Sequence, residues 1–253
     1  MKNENDNIKI VALLTAAGVG SRMHNSIPKQ FLTVENKPII IYTLEAFENH
    51  PSIDEIIVAC LEGWIPVLQA YAKENRITKL KYIIPGGQTG QQSITNCLQH
   101  LKANGLKDTD IVMVHDGNRP LISDSIISES IATCISKGNA VAHVPSNEVI
   151  VTTKDQESCD EQLDREYVKR TQTPHTCRFG SMYNDYLEML ERNQLGVVAP
   201  CSVWMSLGKK VYLSAGSELN FKITTPEDLQ IFEALIQARN YQKSNGGYQL
   251  TKK

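Results

Sequence analysis

The sequence predicts an α/β fold: a mostly parallel sheet with helices on both faces, Rossmann-like in plan, with a projecting β-arm. Three observations carry this expectation. Apolar runs of strand length at 8–14, 56–60 and 111–114 lack polar alternation, which is how a strand buried on both faces reads. Between them lie segments whose apolar residues recur at helical spacing, such as Ile40, Ile41, Leu44 and Phe47. Strand and helix then alternate along most of the 253 residues, the rhythm of βαβ units.

Each element has its own signal. Residues 8–14 form a β-branched and leucine run that ends in Thr15-Ala16-Ala17-Gly18. Pro38 stands where a helix can begin, because its fixed φ and missing N–H suit a first turn. A strand at 56–60, a helix at 64–75 and a strand at 81–84 follow, the last closed by Pro85-Gly86-Gly87. Ser93, Ile94, Cys97, Leu98 and Leu101 share one helical face, and the strand at 111–114 ends at His115-Asp116. Ile126, Ile127, Ser130, Ile131 and Cys134 continue the pattern to Gly138, which suits a helix end. Residues 140–144 are the next strand. The rhythm breaks between Pro145 and Gln172. The charged stretch 154–166 is flanked by strand-like 149–153 and 167–171, which reads as a two-stranded arm over about 146–172. A lone hairpin is marginal in water, so the arm is expected to pack on something, with a second subunit as the candidate, against the alternative of a surface loop. A helix near 178–192, a strand at 210–214 and a helix at 226–238 complete a domain over 1–239. The polar residues 240–253 read as a frayed tail.

Composition removes several classes of function. Lys and Arg number 26 against 28 Asp and Glu, a net charge of −2 without a basic block, which argues against a dedicated nucleic-acid binder. No stretch approaches the ~20 apolar residues of a membrane span. The polar N-terminus has no signal-peptide pattern, so a cytoplasmic location is expected. None of the six cysteines forms C-x-x-C, which leaves reduced thiols rather than a zinc ribbon as the expectation.

Three constellations carry candidate chemistry. The first is Ala16-Ala17-Gly18-Val19-Gly20-Ser21-Arg22-Met23 with Pro28-Lys29-Gln30. Small residues after a strand let backbone N–H groups approach a phosphate, and Arg22 and Lys29 add fixed positive charge. It is neither a P-loop nor a full dinucleotide fingerprint. The second is His115-Asp116-Gly117-Asn118-Arg119-Pro120 at a strand end, where open α/β sheets bind ligands. Asp116 there can hold a hard cation such as Mg²⁺, or it can pair with Arg119 to close a turn. The third is Asn220-Phe221-Lys222-Ile223-Thr224-Thr225-Pro226-Glu227-Asp228. Thr225 can cap a helix that has Pro226 at its first position. Lys222, on a preceding strand, is either solvated or aimed at the site.

With these motifs, the chain resembles the cytidylyltransferases that include 2-C-methyl-D-erythritol 4-phosphate cytidylyltransferase and D-ribitol-5-phosphate cytidylyltransferase. The resemblance runs from Ile8 to Leu235 and adds Gly86-Gly87 with Ser93, Thr171-Gln172-Thr173-Pro174 and Lys222-Ile223-Thr224. It implies a nucleotidyltransferase that moves CMP from CTP to a polyol phosphate and releases pyrophosphate. Carried over, Ala16, Ala17, Gly18, Val19 and Gly20 hold the nucleotide, and Gly86, Gly87 and Ser93 read cytosine. Arg22 and Lys29 stabilise the triphosphate charge, and Lys222 reaches the α-phosphate and the attacking phosphate. Asp116 binds Mg²⁺, Arg119 shapes the substrate site, and Arg165 and Thr173 grip the polyol phosphate. The resemblance also implies a homodimer in which the arm delivers Arg165 across the interface. An attacking phosphate is already an anion, so catalysis needs positioning and charge stabilisation rather than a strong base.

Departures sharpen the choice of acceptor. Gly90 stands where the family's Gly-Gly-x-x-Arg turn has arginine, and Glu148-Val149 and Val198-Ala199-Pro200 replace polar stretches of the methylerythritol enzymes. Glu62-Gly63-Trp64 and Leu207-Gly208-Lys209-Lys210 look like the ribitol enzymes, although those carry an Asp where Ala199 stands. The expectation is therefore D-ribitol 5-phosphate, giving CDP-ribitol for cell-surface polymers. The alternatives are the methylerythritol acceptor of isoprenoid precursor synthesis, a sugar-phosphate nucleotidyltransferase using UTP or GTP, and a non-catalytic nucleotide-binding homologue.

Overall fold

In the computed structural model the described residues are 8–18, 27–194, 196–197 and 199–244. In chain order, β1 (Ile10–Ala16) is followed by a 3-10 turn (Lys29–Phe31) and a small hairpin, β2 (Thr33–Val34) and β3 (Lys37–Pro38). Next come α1 (Ile39–Asn49), β4 (Glu55–Cys60), α2 (Ile65–Glu74), β5 (Leu80–Pro85), α3 (Gly90–Ala103) and β6 (Ile111–Asp116). The chain continues through α4 (Asp124–Lys137), β7 (Asn139–Pro145), β8 (Ile150–Thr152), β9 (Glu161–Leu163) and β10 (Lys169–Arg178). It ends with α5 (Phe179–Glu191), α6 (Pro200–Ser206), β11 (Leu213–Ala215) and α7 (Pro226–Ser244).

The main sheet has the order β11-β7-β10-β6-β1-β4-β5. Every neighbouring pair is parallel except the two that β10 makes. The unbroken apolar runs have the cause expected of them. Side chains alternate across a strand, so Ala12 and Leu14 enter one core with Ile40 and Phe47, while Val11 and Leu13 enter another with Cys97 and Leu98. Pro38 sits immediately before α1, and Gly138 ends α4 at φ 95°, a left-handed conformation that glycine takes without strain.

The arm is the main correction. β8 pairs with β9, with Ile150 opposite Leu163 and Thr152 opposite Glu161. It does not pair with 167–171, most of which belongs to β10, an interior strand of the main sheet. Polar composition and Pro174 conceal β10 in the sequence. It is a strand because a slot between β6 and β7 supplies hydrogen bonds on both edges. Pro174 lies within the register shift between Thr171 and His175, where a bulge needs no ladder N–H from it. Buried Thr176 satisfies its hydroxyl on Ser130 Oγ at 2.7 Å.

Three smaller differences follow from length. α6 escapes a periodicity reading because seven residues give fewer than two full turns of pattern, yet it buries Trp204 and Val203. β11 is shorter and later than the strand expected at 210–214. α7 continues to Ser244, past the helix end expected at 238.

Candidate active site

Strand order reverses at β1: β4 and β5 lie to one side and β6 to the other. Loops leaving the carboxyl ends of β1 and β6 therefore diverge, which leaves a crevice at the switch point. A cleft of about 650 Å³ opens there.

Backbone packing shapes the floor and one end. Gly117 N–H donates to Thr15 O at 2.9 Å, which joins the ends of β1 and β6. Gly86 N–H donates to Cys60 O at 2.7 Å, and a Cβ on Gly86 would stand 2.1 Å from Ala17 Cβ. Only glycine lets these two loops touch. Ala16, Ala17, Gly18 and Gly87 line the cleft beside this contact, and Gly86 packs behind it. Buried Gln30 donates through Nε2 to Ala16 O at 2.5 Å and Gly18 O at 3.2 Å. It thereby fastens the turn that carries Lys29, another lining residue, to the small-residue loop. Phe31 in that turn stacks on Trp64 with ring centroids 4.6 Å apart.

At the same end, Thr89 caps α3 through Oγ1, which accepts from Gln92 N at 3.1 Å. Ser93 Oγ accepts from Gly87 N and donates to Thr89 O, each at 3.0 Å. Its hydrogen is committed, so Ser93 offers the cleft a lone pair only. Gly90 also lines this end.

Asp116 is the charge centre. Its Oδ1 accepts from Lys222 Nζ and its Oδ2 from Arg119 Nε, both at 2.9 Å. Burial pushes its pKa up, but Lys222 and Arg119 outweigh burial and hold the carboxyl well below the usual carboxylate range. Lys222 is not on a strand: it lies in irregular chain between β11 and α7. That segment is stitched to the loop after β6 in four places. Ile223 N–H donates to Asn118 O at 2.9 Å, Asn118 Nδ2 donates to Ile223 O, Arg119 donates to Asn220 O at 2.7 Å, and Lys222 meets Asp116. Thr225 caps α7 as the sequence indicates, accepting from Asp228 N at 3.3 Å.

The opposite wall comes from β10 and the start of α6. Thr171, Gln172, Thr173, His175, Ala199 and Pro200 line it. Gln172 is anchored at both ends of its amide: Nε2 donates to Ser217 O at 2.8 Å, and Oε1 accepts from Ser217 N at 3.2 Å and Asn220 Nδ2 at 3.3 Å. His175 Nδ1 accepts from Cys201 N at 3.4 Å, which ties β10 to α6. Burial keeps both nearby histidines neutral, with His115 pulled down to about 3 and His175 to about 4.

Of the residues singled out in the sequence, Ala16, Ala17, Gly18, Lys29, Gly87, Ser93, Asp116, Arg119, Thr173 and Lys222 converge on this cleft. Val19, Gly20, Arg22 and Val198 lie outside the described residues. Arg165 is exposed in a turn of the arm and does not line the cleft of its own chain, and Val149 is likewise exposed and away from it. The sequence reading gave no role to Gln30, Thr89, His115, Gln172, His175 or Asn220. Gln30 and His115 adjoin residues that were singled out, so position was the signal. Gln172 lay within a quoted motif, whereas Asn220 only opened one.

Among the described residues one carboxylate, Asp116, lines the cleft, and no group of three or more His, Cys, Asp or Glu side chains could cage a metal. The donor set thus suits Mg²⁺ only in its common mode, with one or two carboxylates while substrate phosphates and water supply the rest.

Residues 10–238 match the family model described as "IspD: 2-C-methyl-D-erythritol 4-phosphate cytidylyltransferase". The chain belongs to this family. It is accordingly a nucleotidyltransferase of the cytidylyltransferase class, as the motifs implied. Among family members it is 39% identical to a ribitol-5-phosphate cytidylyltransferase of Lacticaseibacillus paracasei, over 91% of this chain and 99% of that protein. It is 38% identical to a ribitol-5-phosphate cytidylyltransferase of Vibrio parahaemolyticus, over 90% and 96%. It is 36% identical to a 2-C-methyl-D-erythritol 4-phosphate cytidylyltransferase of Clostridium botulinum, over 89% and 96%. The fold matches the crystal structure of 4-diphosphocytidyl-2C-methyl-D-erythritol synthase from Anaerococcus prevotii, with a TM-score of 0.77 at 23% identity, over 92% and 100% of the two chains.

Proposed function

We propose that this chain transfers CMP from CTP to D-ribitol 5-phosphate, forming CDP-ribitol and pyrophosphate. The observation that carries this reading is a cleft that, among the described residues, is lined by three cationic side chains, Lys29, Arg119 and Lys222, against one carboxylate. The histidines beside it are kept neutral by burial and so are poor bases near neutrality. Such a site favours a reaction in which anions meet and the nucleophile needs no deprotonation. Cytosine is supported by Ser93, whose remaining lone pair accepts from an exocyclic amino group and repels the carbonyl that uracil has there.

In this reading the Ala16–Gly18 backbone and Lys29 hold the triphosphate, and Lys222 guides the attacking phosphate to the α-phosphorus. Arg119 keeps Asp116 ionised and aimed. Mg²⁺, held by Asp116 together with nucleotide phosphates, would neutralise charge on the triphosphate. Asp116 can release Lys222 to the incoming phosphate while Arg119 stays bonded. The exposed Val149, Val151 and Tyr167 give the arm apolar surface that a second copy would cover, which supports a homodimer. Six unpaired cysteines support a reducing, cytoplasmic setting.

Ribitol is favoured over methylerythritol by the two ribitol enzymes at 38–39% identity, whereas apolar Ala199 in the acceptor wall departs from both kinds and offers neither acceptor a hydrogen bond. One missing hydrogen-bond partner costs about 1–3 kcal/mol, or roughly 5- to 150-fold. The test is kcat/KM with saturating CTP and Mg²⁺ for D-ribitol 5-phosphate and methylerythritol phosphate, with a chelator control. Ribitol phosphate is expected to be preferred by about 10-fold or more. A preference for methylerythritol phosphate, or full activity in excess chelator, would contradict the corresponding part of the proposal.

A further inference from the structure

The polarity of one group on the acceptor wall can be read from its partners. Thr173 Oγ1 receives the backbone N–H of Asp116 at 3.1 Å and lies 3.0 Å from His115 Nδ1. The far nitrogen of that ring, His115 Nε2, lies 3.2 Å from the Arg119 carbonyl oxygen. A carbonyl oxygen only accepts, so Nε2 carries a hydrogen. In a neutral imidazole the other nitrogen is then a bare acceptor. The ring is fully buried and packs edge-on against Phe47 at 5.2 Å, an environment that disfavours its charged form. The single hydrogen of the Thr173 hydroxyl is therefore spent on Nδ1. Its oxygen has two lone pairs, and the Asp116 N–H takes one. What Thr173 offers the cleft is the other.

We infer that Thr173 meets the bound substrate solely as a hydrogen-bond acceptor, that His115 is the positioning residue that makes it so, and that the partner it selects is a hydroxyl of the polyol chain rather than a phosphate oxygen. This rests on the proposed polyol-phosphate acceptor. A phosphate dianion brings only lone pairs and would face another lone pair at Thr173; a hydroxyl brings a hydrogen. The ribose of the nucleotide also carries hydroxyls, but the base-reading loop leaves the end of β5, whereas Thr173 is on β10. Four strand spacings separate these strands in the sheet order, roughly 19 Å at ~4.8 Å each. The acceptor chain is the nearer source. It follows that the acceptor binds with its phosphate toward Lys222 and a chain hydroxyl toward Thr173.

The proton arrangement can be tested without substrate by ¹⁵N NMR of the histidine-labelled protein at pH 7. His115 should be neutral with its hydrogen on Nε2; a hydrogen on Nδ1, as the other tautomer or as imidazolium, overturns the inference. The recognition can be tested with polyol phosphates lacking one chain hydroxyl at a time. Wild type should turn over one of these with kcat/KM at least about 10-fold below the parent, the loss expected for one unmade hydrogen bond. In His115→Phe, which keeps an aromatic ring but has no acceptor nitrogen, that discrimination should fall to within about 2-fold. Discrimination against 2′-deoxy-CTP should stay as in wild type. His115→Gln, with an acceptor and a donor on one planar group, should recover most of the acceptor discrimination. If His115→Phe does not fold, Thr173→Val, isosteric but without the oxygen, should show the same loss. Retained discrimination in His115→Phe or Thr173→Val, or a loss confined to 2′-deoxy-CTP, overturns the assignment. Absence of wild-type turnover with every polyol phosphate would remove the acceptor reading and the hydroxyl assignment with it, while the NMR result still decides the polarity.

Discussion

The two ends of the cleft, which the proposed function assigns to the nucleotide and to the acceptor, are built by different means. At the end assigned to the nucleotide, glycine backbone makes the contacts: Gly86 abuts the Ala17 Cβ, Gly117 N–H bonds to Thr15 O, and Gly87 N–H bonds to Ser93 Oγ. Such contacts leave little room for change: a Cβ added at Gly86 would stand 2.1 Å from the Ala17 Cβ, an atom that no side-chain rotation moves away. At the acceptor end the contacts are side-chain amides, hydroxyls and an imidazole: Gln172, Asn220, Thr173 and His115. One member can be exchanged there and the rest can re-form. Arg165 does not reach the cleft at all within one chain. On the proposed assignment, a site divided this way would hold its donor substrate fixed while its acceptor could be retuned residue by residue, which fits relatives that differ in the acceptor they are named for.

The comparison breaks most visibly at the charges both ends share. Lys29→Ala and Lys222→Ala should each lower kcat by about 10²–10³, the usual cost of one preorganised charge contact, with melting temperatures near wild type. Steady-state kinetics with CTP and ribitol phosphate check this, and wild-type turnover by either variant removes its assigned role. Arg165 sharpens the acceptor end. Arg165→Ala should raise the acceptor KM by about 10-fold, within the usual range for an exposed charge-assisted contact. Mixing it with Lys29→Ala protein should restore part of the activity, since some sites then receive both intact residues. A monomer by sedimentation, or exchange of subunits without recovery, would refute delivery across an interface. Gly86→Ala probes the rigid end. Overpacking of this kind costs about 1–3 kcal/mol, so the KM for CTP should rise by several-fold while the acceptor KM barely moves. Unchanged CTP affinity would show that the Ala17 contact is not what sets the nucleotide end.

Legibility followed the same division. The helices and the parallel strands are amphipathic or doubly buried, so residues such as Val11, Leu14, Ile40 and Leu98 announce them by period. The small-residue loop, Lys29, Asp116 and Lys222 stand in local motifs, and each lines the cleft among the described residues. From Gln172 onward β10 was illegible because its stability comes from two neighbours far away in sequence, and a polar strand with a proline carries no period of its own. His115 was quoted but left without a role, since what it does depends on Thr173, 58 positions later in the chain. The arm misled because 149–153 and 167–171 are both strand-like, and only β9, three residues long, shows which partner β8 takes.

β10 also dictates when the protein becomes safe to release during its own synthesis. It runs antiparallel between β6 and β7, both of which are made earlier. Until residue 169 and beyond have emerged, the growing chain carries two apolar strands with open edges facing an empty slot, and such edges pair with whatever strand is near. The insert that fills the slot, Lys-Arg-Thr-Gln-Thr-Pro-His-Thr-Cys-Arg, is polar and interrupted by a proline. It is a poor seed for aggregation on its own and acquires order only where two waiting edges already lie the right distance apart. The hazard at this slot therefore belongs to the nascent chain, in a window that opens with β7 and closes with β10, and the residues that close it are the same ones that form the proposed acceptor wall.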